Sequence, residues 1–161
     1  MASDLQITID GLRRIVQALR QSAAHSEQSS NVTGAQALVL RHIAARDGLS
    51  VNELAALTFT HQSTVSEVIS RLEGRGLVER VRAADDGRRR ALHLTFEGQT
   101  AVRKTSVTAQ ETLMRTLQTM PPTTVAKLAQ GLAALVDAAG LAHAQPVMFF
   151  EVIRDQKETR E

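Results

Sequence analysis

THQSTVSEVISRLEGRGLVERVRAADDGRRRALHLT, residues 60–95, is the stretch whose reading decides the fold. Val65, Val68, Ile69 and Leu72 recur at helical spacing and predict a helix from about His61 to Arg75 with one apolar face. Gly74 and Gly76 supply its loose end. Leu77 to Arg82 and Arg90 to Leu94 read as paired strands, and the Asp86-Gly87 dipeptide between them is a strong hairpin-turn signal. A helix followed by an arginine-tipped hairpin suits a helix in a DNA groove with a wing beside it.

Upstream, Ser50-Val-Asn-Glu53 has the form of a capping box, in which a hydroxyl and a carboxylate satisfy the first free N–H groups of a helix. It opens a short helix through Leu57. Thr58-Phe59-Thr60 then makes a three-residue turn into the helix of residues 61–75, which matches helix-turn-helix geometry. The outward residues of that second helix are Gln62, Ser63, Ser66, Glu67 and Ser70. With Thr64 they form the candidate DNA-contact set. Gln can bond adenine bidentately, and Ser or Thr can serve a base or a phosphate. Glu67 is the odd member, because a carboxylate repels phosphate unless it accepts from a cytosine amine.

The helix alone is equally well read as the solvated face of an amphipathic segment; the hairpin tips the balance. Arg88, Arg89 and Arg90 crowd like charge at a tight turn, an arrangement that phosphates or a narrow minor groove would neutralise. Asp85 and Asp86 are placed to pair with them. Net charge is only +2, but 16 of the 19 basic residues are Arg, and seven lie between Arg71 and Arg90 against four carboxylates. The planar guanidinium fork suits phosphate and base edges.

The rest of the chain reads as helices. Two further capping boxes, Ser3-Asp-Leu-Gln6 and Thr33-Gly-Ala-Gln36, open helices of about 4–26 and 35–46. In the first, Leu5, Ile9, Leu12, Val16 and Leu19 form one stripe; in the second, Leu38, Leu40 and Ile43 point inward. Ser26 to Asn31 reads as a polar loop. One helix is expected over about 96–120. It ends at Pro121-Pro122, with Pro122 opening another helix over about 123–141 striped by Val125, Leu128, Leu132, Leu135 and Val136. Val147 to Ile153 is apolar enough to dock. Aromatics are only 2% of residues, so aliphatic side chains must build the core and a ring-stacking cofactor site is disfavoured.

With no cysteine, disulfides, thiolate metal sites and thiol redox sensing are excluded. The histidines at 25, 42, 61, 93 and 143 show no paired helical spacing, so no metal is expected; His61 is placed for capping or DNA contact. No nucleophile elbow, phosphate loop, HExxH or carboxylate cluster is present, so no catalytic residues and no cofactor are expected. No apolar run approaches membrane-spanning length, and the chain reads as cytoplasmic, without a membrane partner.

These residues carry a resemblance. Ser50 to Thr95 resembles the winged helix-turn-helix domain of the MarR family of bacterial transcriptional regulators, whose wing bears the signature D-x-R-x5-L-T. Here it is Asp86-Gly-Arg88, five residues, then Leu94-Thr95; RLEGRGLVER before it is also typical. The fold class implied is mainly α with a small two- to three-stranded β-wing. Residues 1–32 would be an N-terminal dimerisation helix and loop, 33–97 the winged domain, and 98–161 C-terminal dimerisation helices and tail. By resemblance, Asp86 anchors the wing through an ion pair, Arg88 reaches the minor groove, and Arg89 and Arg90 add backbone contacts. The function implied is a homodimeric repressor on palindromic double-stranded DNA, responsive to a small anionic or aromatic effector. His25, His42, Arg46 and Arg14 are candidates for the effector cleft. The alternatives are a winged protein-interaction module, which would need an apolar patch in place of a cationic tip, and an enzyme. The tail after Pro146 is not something the resemblance explains.

Overall fold

The computed structural model describes residues 3–82, 90–144 and 146–149. Their order is α1 (Asp4–Ser30), α2 (Gly34–Ala45), α3 (Val51–Thr58), α4 (Gln62–Gly74), β1 (Val78–Arg82), β2 (Arg90–Leu94), α5 (Phe96–Lys104), α6 (Ala109–Thr119) and α7 (Pro122–Ala138). The mainly helical fold with a small antiparallel sheet agrees with the expected fold class.

At the centre lies α2, in contact with α1, α3, α4, α5, α6 and β2. Eight of its twelve residues are buried, well beyond the expected Leu38, Leu40 and Ile43. A helix apolar all round is a core helix, whereas one with a single stripe is a surface helix. The core continues through Leu49, Leu54, Val65, Val68, Ile69, Leu72, Val78 and Leu92. Strands β1 and β2 pair antiparallel from Val78 opposite Leu94 to Arg82 opposite Arg90. The α2–α3 loop adds a third short edge: the Gly48 N–H donates to the Leu92 carbonyl (3.1 Å) and the Leu92 N–H to that of Leu49 (2.8 Å). The Asp86-Gly87 turn lies outside the described residues.

Two expectations are corrected. The segment read as a loop from Ser26 is helix as far as Ser30, because the Ser29 and Ser30 hydroxyls donate to the carbonyls of His25 and Ser26 within α1 (2.8 and 2.7 Å). Serines bonded this way remain in a helix despite their turn-like composition. The helix ends at Asn31, in the left-handed region at φ 54°. The single helix expected over 96–120 is two, α5 and α6. The Thr105 hydroxyl donates to the Val102 carbonyl at the end of α5, and Thr108 with Glu111 forms a complete capping box that restarts the chain as α6. Thr33 and Ser50 also make complete boxes, whereas Gln6 donates to Asp10 and leaves the one at Ser3 half-formed.

The terminal arms differ from this core. Leu19, Ala23 and Ser26 dock α1, but its first half is exposed, and α7 buries no residue at all. At the wing's base, the Thr95 hydroxyl donates to the Gly76 carbonyl (2.6 Å) and accepts from the Gly98 N–H (3.0 Å). This draws α5 so close to Leu77 that a Cβ on Gly98 would lie 2.0 Å from the Leu77 carbonyl oxygen. Gly98→Ala should therefore lose about 1–3 kcal/mol of stability by overpacking against backbone. Urea denaturation measures this, and an unchanged midpoint would mean that α5 shifts from Leu77 without cost.

Candidate nucleic-acid interface

Helix α3 ends where the Thr58 hydroxyl donates to the Leu54 carbonyl (2.9 Å) and Phe59 turns left-handed at φ 51°. The Thr60 N–H returns to the Ala55 carbonyl (3.0 Å), closing the turn tightly. The next helix begins at Gln62 with His61 as its N-cap, and His61 makes no side-chain capping bond. The first N–H groups of α4 are thus left without a side-chain cap, at a helix end whose dipole favours anions.

Of the predicted contact residues, Gln62, Ser63, Glu67 and Ser70 are exposed and Ser66 is half-buried, so they share the outer face of α4. Thr64 does not belong with them. It is 5% exposed and lies in the inward stripe with Val65, Val68, Ile69 and Leu72. Its spacing of i, i+4, i+8 with Val68 and Leu72 was the signal that the stripe was one residue wider. Ser70 spends its hydroxyl proton on the Ser66 carbonyl (2.9 Å), leaving its oxygen as an acceptor. Glu67 sits 4.0 Å from Arg71 across one turn, and this exposed pair softens the carboxylate's repulsion of phosphate while adding little stability.

Two side chains fix the other end of α4. Glu73 pairs with Arg80 at 3.0 Å, tying the helix to β1. Arg75 donates to the buried Gln36 side-chain oxygen (2.8 Å) and to the Asn31 carbonyl, tying it to the α1–α2 junction. On the hairpin, Arg90 is exposed, while Asp86, Arg88 and Arg89 lie outside the described residues. The register reveals a residue that sequence reasoning missed. Arg82 stands directly opposite Arg90, and like charges in a cross-strand pair are unfavourable until something anionic lies beside them. Counting the strands outward from Val78 and Leu94 would have found it.

The candidates for an effector cleft are scattered. Arg14 and His25 are exposed on α1, and Arg46 is ion-paired to Glu53. His42 is half-buried on α2, with Nε2 lacking a hydrogen-bond partner, as does Oε1 of Gln110 on α6. Burial holds the His42 imidazole below its ordinary value of 6.5; Glu111 opposes that shift and Arg41 adds to it. Arg41 itself grips Glu111 with both carboxylate oxygens within 3.1 Å. Among the described residues no group of three or more His, Cys, Asp or Glu could hold a metal ion, and no helix is long and apolar enough to cross a membrane.

A sequence model described as MarR family matches residues 30–89. The transcriptional regulator HosA of Escherichia coli O127:H6 is 34% identical over 88 residues, 55% of this chain; the chain spans only 64% of the length of HosA. The PcaV transcriptional regulator from Streptomyces coelicolor, solved in complex with its natural ligand, is 29% identical with a TM-score of 0.54, covering 86% of this chain and 99% of PcaV. A second PcaV structure is 30% identical with a TM-score of 0.51, covering 80% of this chain and 94% of PcaV. The S. aureus MepR–DNA complex superimposes with a TM-score of 0.54 over 80% of this chain and 94% of MepR; at 23% identity it speaks to the fold alone.

The lowered His42 pKa has a stability consequence. Protons bind this imidazole better in the unfolded chain, so stability present above about pH 6.5 is lost as pH falls from there toward the folded value. Urea midpoints should drop between about pH 7.5 and 5.5, and His42→Gln should flatten that drop. An equal drop in the variant would assign it to other groups.

Proposed function

Because this chain belongs to the MarR family, we propose that it is a sequence-specific DNA-binding transcriptional regulator acting as a homodimer. The observation that carries the proposal is the outer face of α4. It presents short polar side chains, Gln62, Ser63, Ser66 and Ser70, beside a hairpin in which Arg82 stands opposite Arg90 at the turn-side end of the paired strands. In this reading Gln62, Ser63, Ser66 and Glu67 specify sequence by meeting base edges. Arg82 and Arg90, with Arg88 and Arg89 beyond them in the chain, grip phosphate or the minor groove. A protein-interaction module would want apolar side chains on that outer face, and it has none.

The second copy is argued from the arms. In α1, Leu5, Leu12 and Val16 are 69%, 38% and 44% exposed; in α7, Leu128, Leu132 and Leu135 are 41%, 42% and 47% exposed. Two amphipathic helices with uncovered stripes in one chain call for a large apolar partner surface. An identical copy supplies it through a two-fold interface, and two-fold symmetry matches a palindromic DNA site. The regulator is proposed to act as a repressor released by a small anionic or aromatic effector, a proposal supported by PcaV having been solved with its natural ligand. The effector would act by favouring a dimer geometry that fits DNA less well.

Duplexes selected from a randomised library supply the test. Gln62→Ala should relax preference at one base pair by about 1–3 kcal/mol, whereas uniform weakening on all sequences would demote Gln62 to a phosphate contact. Arg88→Ala should make the salt dependence shallower by about one unit of slope; if slope and affinity both stay put, the wing has no part in binding. Light scattering after size exclusion should return twice the 17.5 kDa chain mass, and Leu132→Glu should halve it. A folded wild-type monomer would end the dimer proposal.

A further inference from the structure

The apolar tail, which the family resemblance does not account for, returns to the DNA-reading unit. After α7, Gly140 turns left-handed at φ 70°, and the Leu141 N–H donates back to the Val136 carbonyl (3.0 Å), reversing the chain. A second turn, from the Ala144 N–H to the Leu141 carbonyl, follows. The chain then buries Met148 to 2% exposure within the same apolar cluster as residues of α2, α3 and α4. Pro146 and Val147 line a cavity of about 370 Å³ opposite Ala55, Ala56, Phe59, Thr60 and His61. Those five residues are the end of α3, the helix-turn-helix turn and the N-cap of α4.

That turn is closed by its own backbone bonds, but two of its residues carry a cost. Phe59 holds a left-handed backbone that only glycine adopts without strain, and His61 gives α4 no side-chain cap. Support from a distant segment therefore matters here more than elsewhere on the helix. The tail is also joined to the C-terminal arm. That arm is held at its α6 end by Glu111 on Arg41 and beyond α7 by Met148, with no buried residue in α7 between them. We infer that Met148 is a positioning residue: docked, the segment Pro146–Met148 steadies the α3–α4 turn and couples the angle of the α7 arm to the N-terminus of the DNA-reading helix. Burying one methionine side chain offsets only part of the entropy cost of ordering its segment, so the docked tail is readily released. Anything that tilts α7 then changes how firmly Gln62 and Ser63 are presented.

The coupling rests on the DNA-binding reading above; the docking does not, and the experiment separates them. In the full chain, Met148→Gln is compared with Met148→Leu, and with Phe149→Ala at a half-exposed neighbour. Hydrogen exchange at the amides of Phe59 to Ser63 should quicken roughly tenfold in Met148→Gln, while amides of α2 from Leu38 to Leu40 keep their protection. Affinity for the library-selected duplex should fall about fivefold with affinity for a random duplex unchanged. Met148→Leu and Phe149→Ala should match the parent in every readout. Equal loss of protection in α2 and the turn would make Met148 an ordinary core residue, and an unchanged turn would mean the tail positions nothing; either overturns the inference. If the parent protein binds no DNA, the function proposal fails, and the exchange comparison still decides whether the tail steadies the turn.

Discussion

From Ala35 to Leu40, α2 places six consecutive residues under cover, and no single neighbour can shield a helix on all its sides. Covering it takes α1, α3, α4, α5, α6 and one strand of the hairpin, so the rest of the chain is arranged by this requirement. The one strongly polar member of the run, Gln36, is tolerated because its side-chain oxygen accepts from the Thr33 N–H and from Arg75. The same oxygen thereby joins the start of α2 to the end of α4.

The two kinds of attachment around α2 differ in stiffness. The helix-turn-helix unit is packed by aliphatic side chains at essentially zero exposure, which deform little. The C-terminal arm is held by fewer contacts, among them the Arg41–Glu111 pair, the Ala109 N–H on the Ser22 hydroxyl, Met114 against the core, and Met148. Removing either partner of Arg41–Glu111 would strand a half-buried charge, so the pair fixes a geometry more than it adds stability. Under the function proposed above, a closely packed reading head on a more sparsely held arm would let a signal change the spacing of two such heads in a dimer.

Much of this was legible in local pattern. Thr33, Ser50 and their partners three residues on announced α2 and α3, and the 65–68–69–72 stripe announced α4. Where reading failed, a local rule was incomplete or a competing bond went unseen. Thr108 with Glu111 has the same capping-box form as the others, yet it sits inside a stretch with enough helical pattern to hide the break before it. Ser29 and Ser30 look like a loop until their hydroxyls are seen bonded into the helix. Thr64 is chemically suited to DNA, but its place on the helix circumference turns it to the core.

Residue type and spacing by themselves determined the starts of α2 and α3, most of the inward face of α4, the two strands and the arginine-rich composition between and beside them, because caps, turns and periodicity act over three or four residues. Tertiary structure alone decided that Arg75 would reach 44 residues back to Asn31 and that Met148 would come to rest in the core. It also decided which apolar stripes find cover, since Leu19 is buried while Leu5 and Leu132 stay exposed although their local patterns are alike. Burial depends on what the rest of the chain brings alongside, and no window of a few residues contains that information.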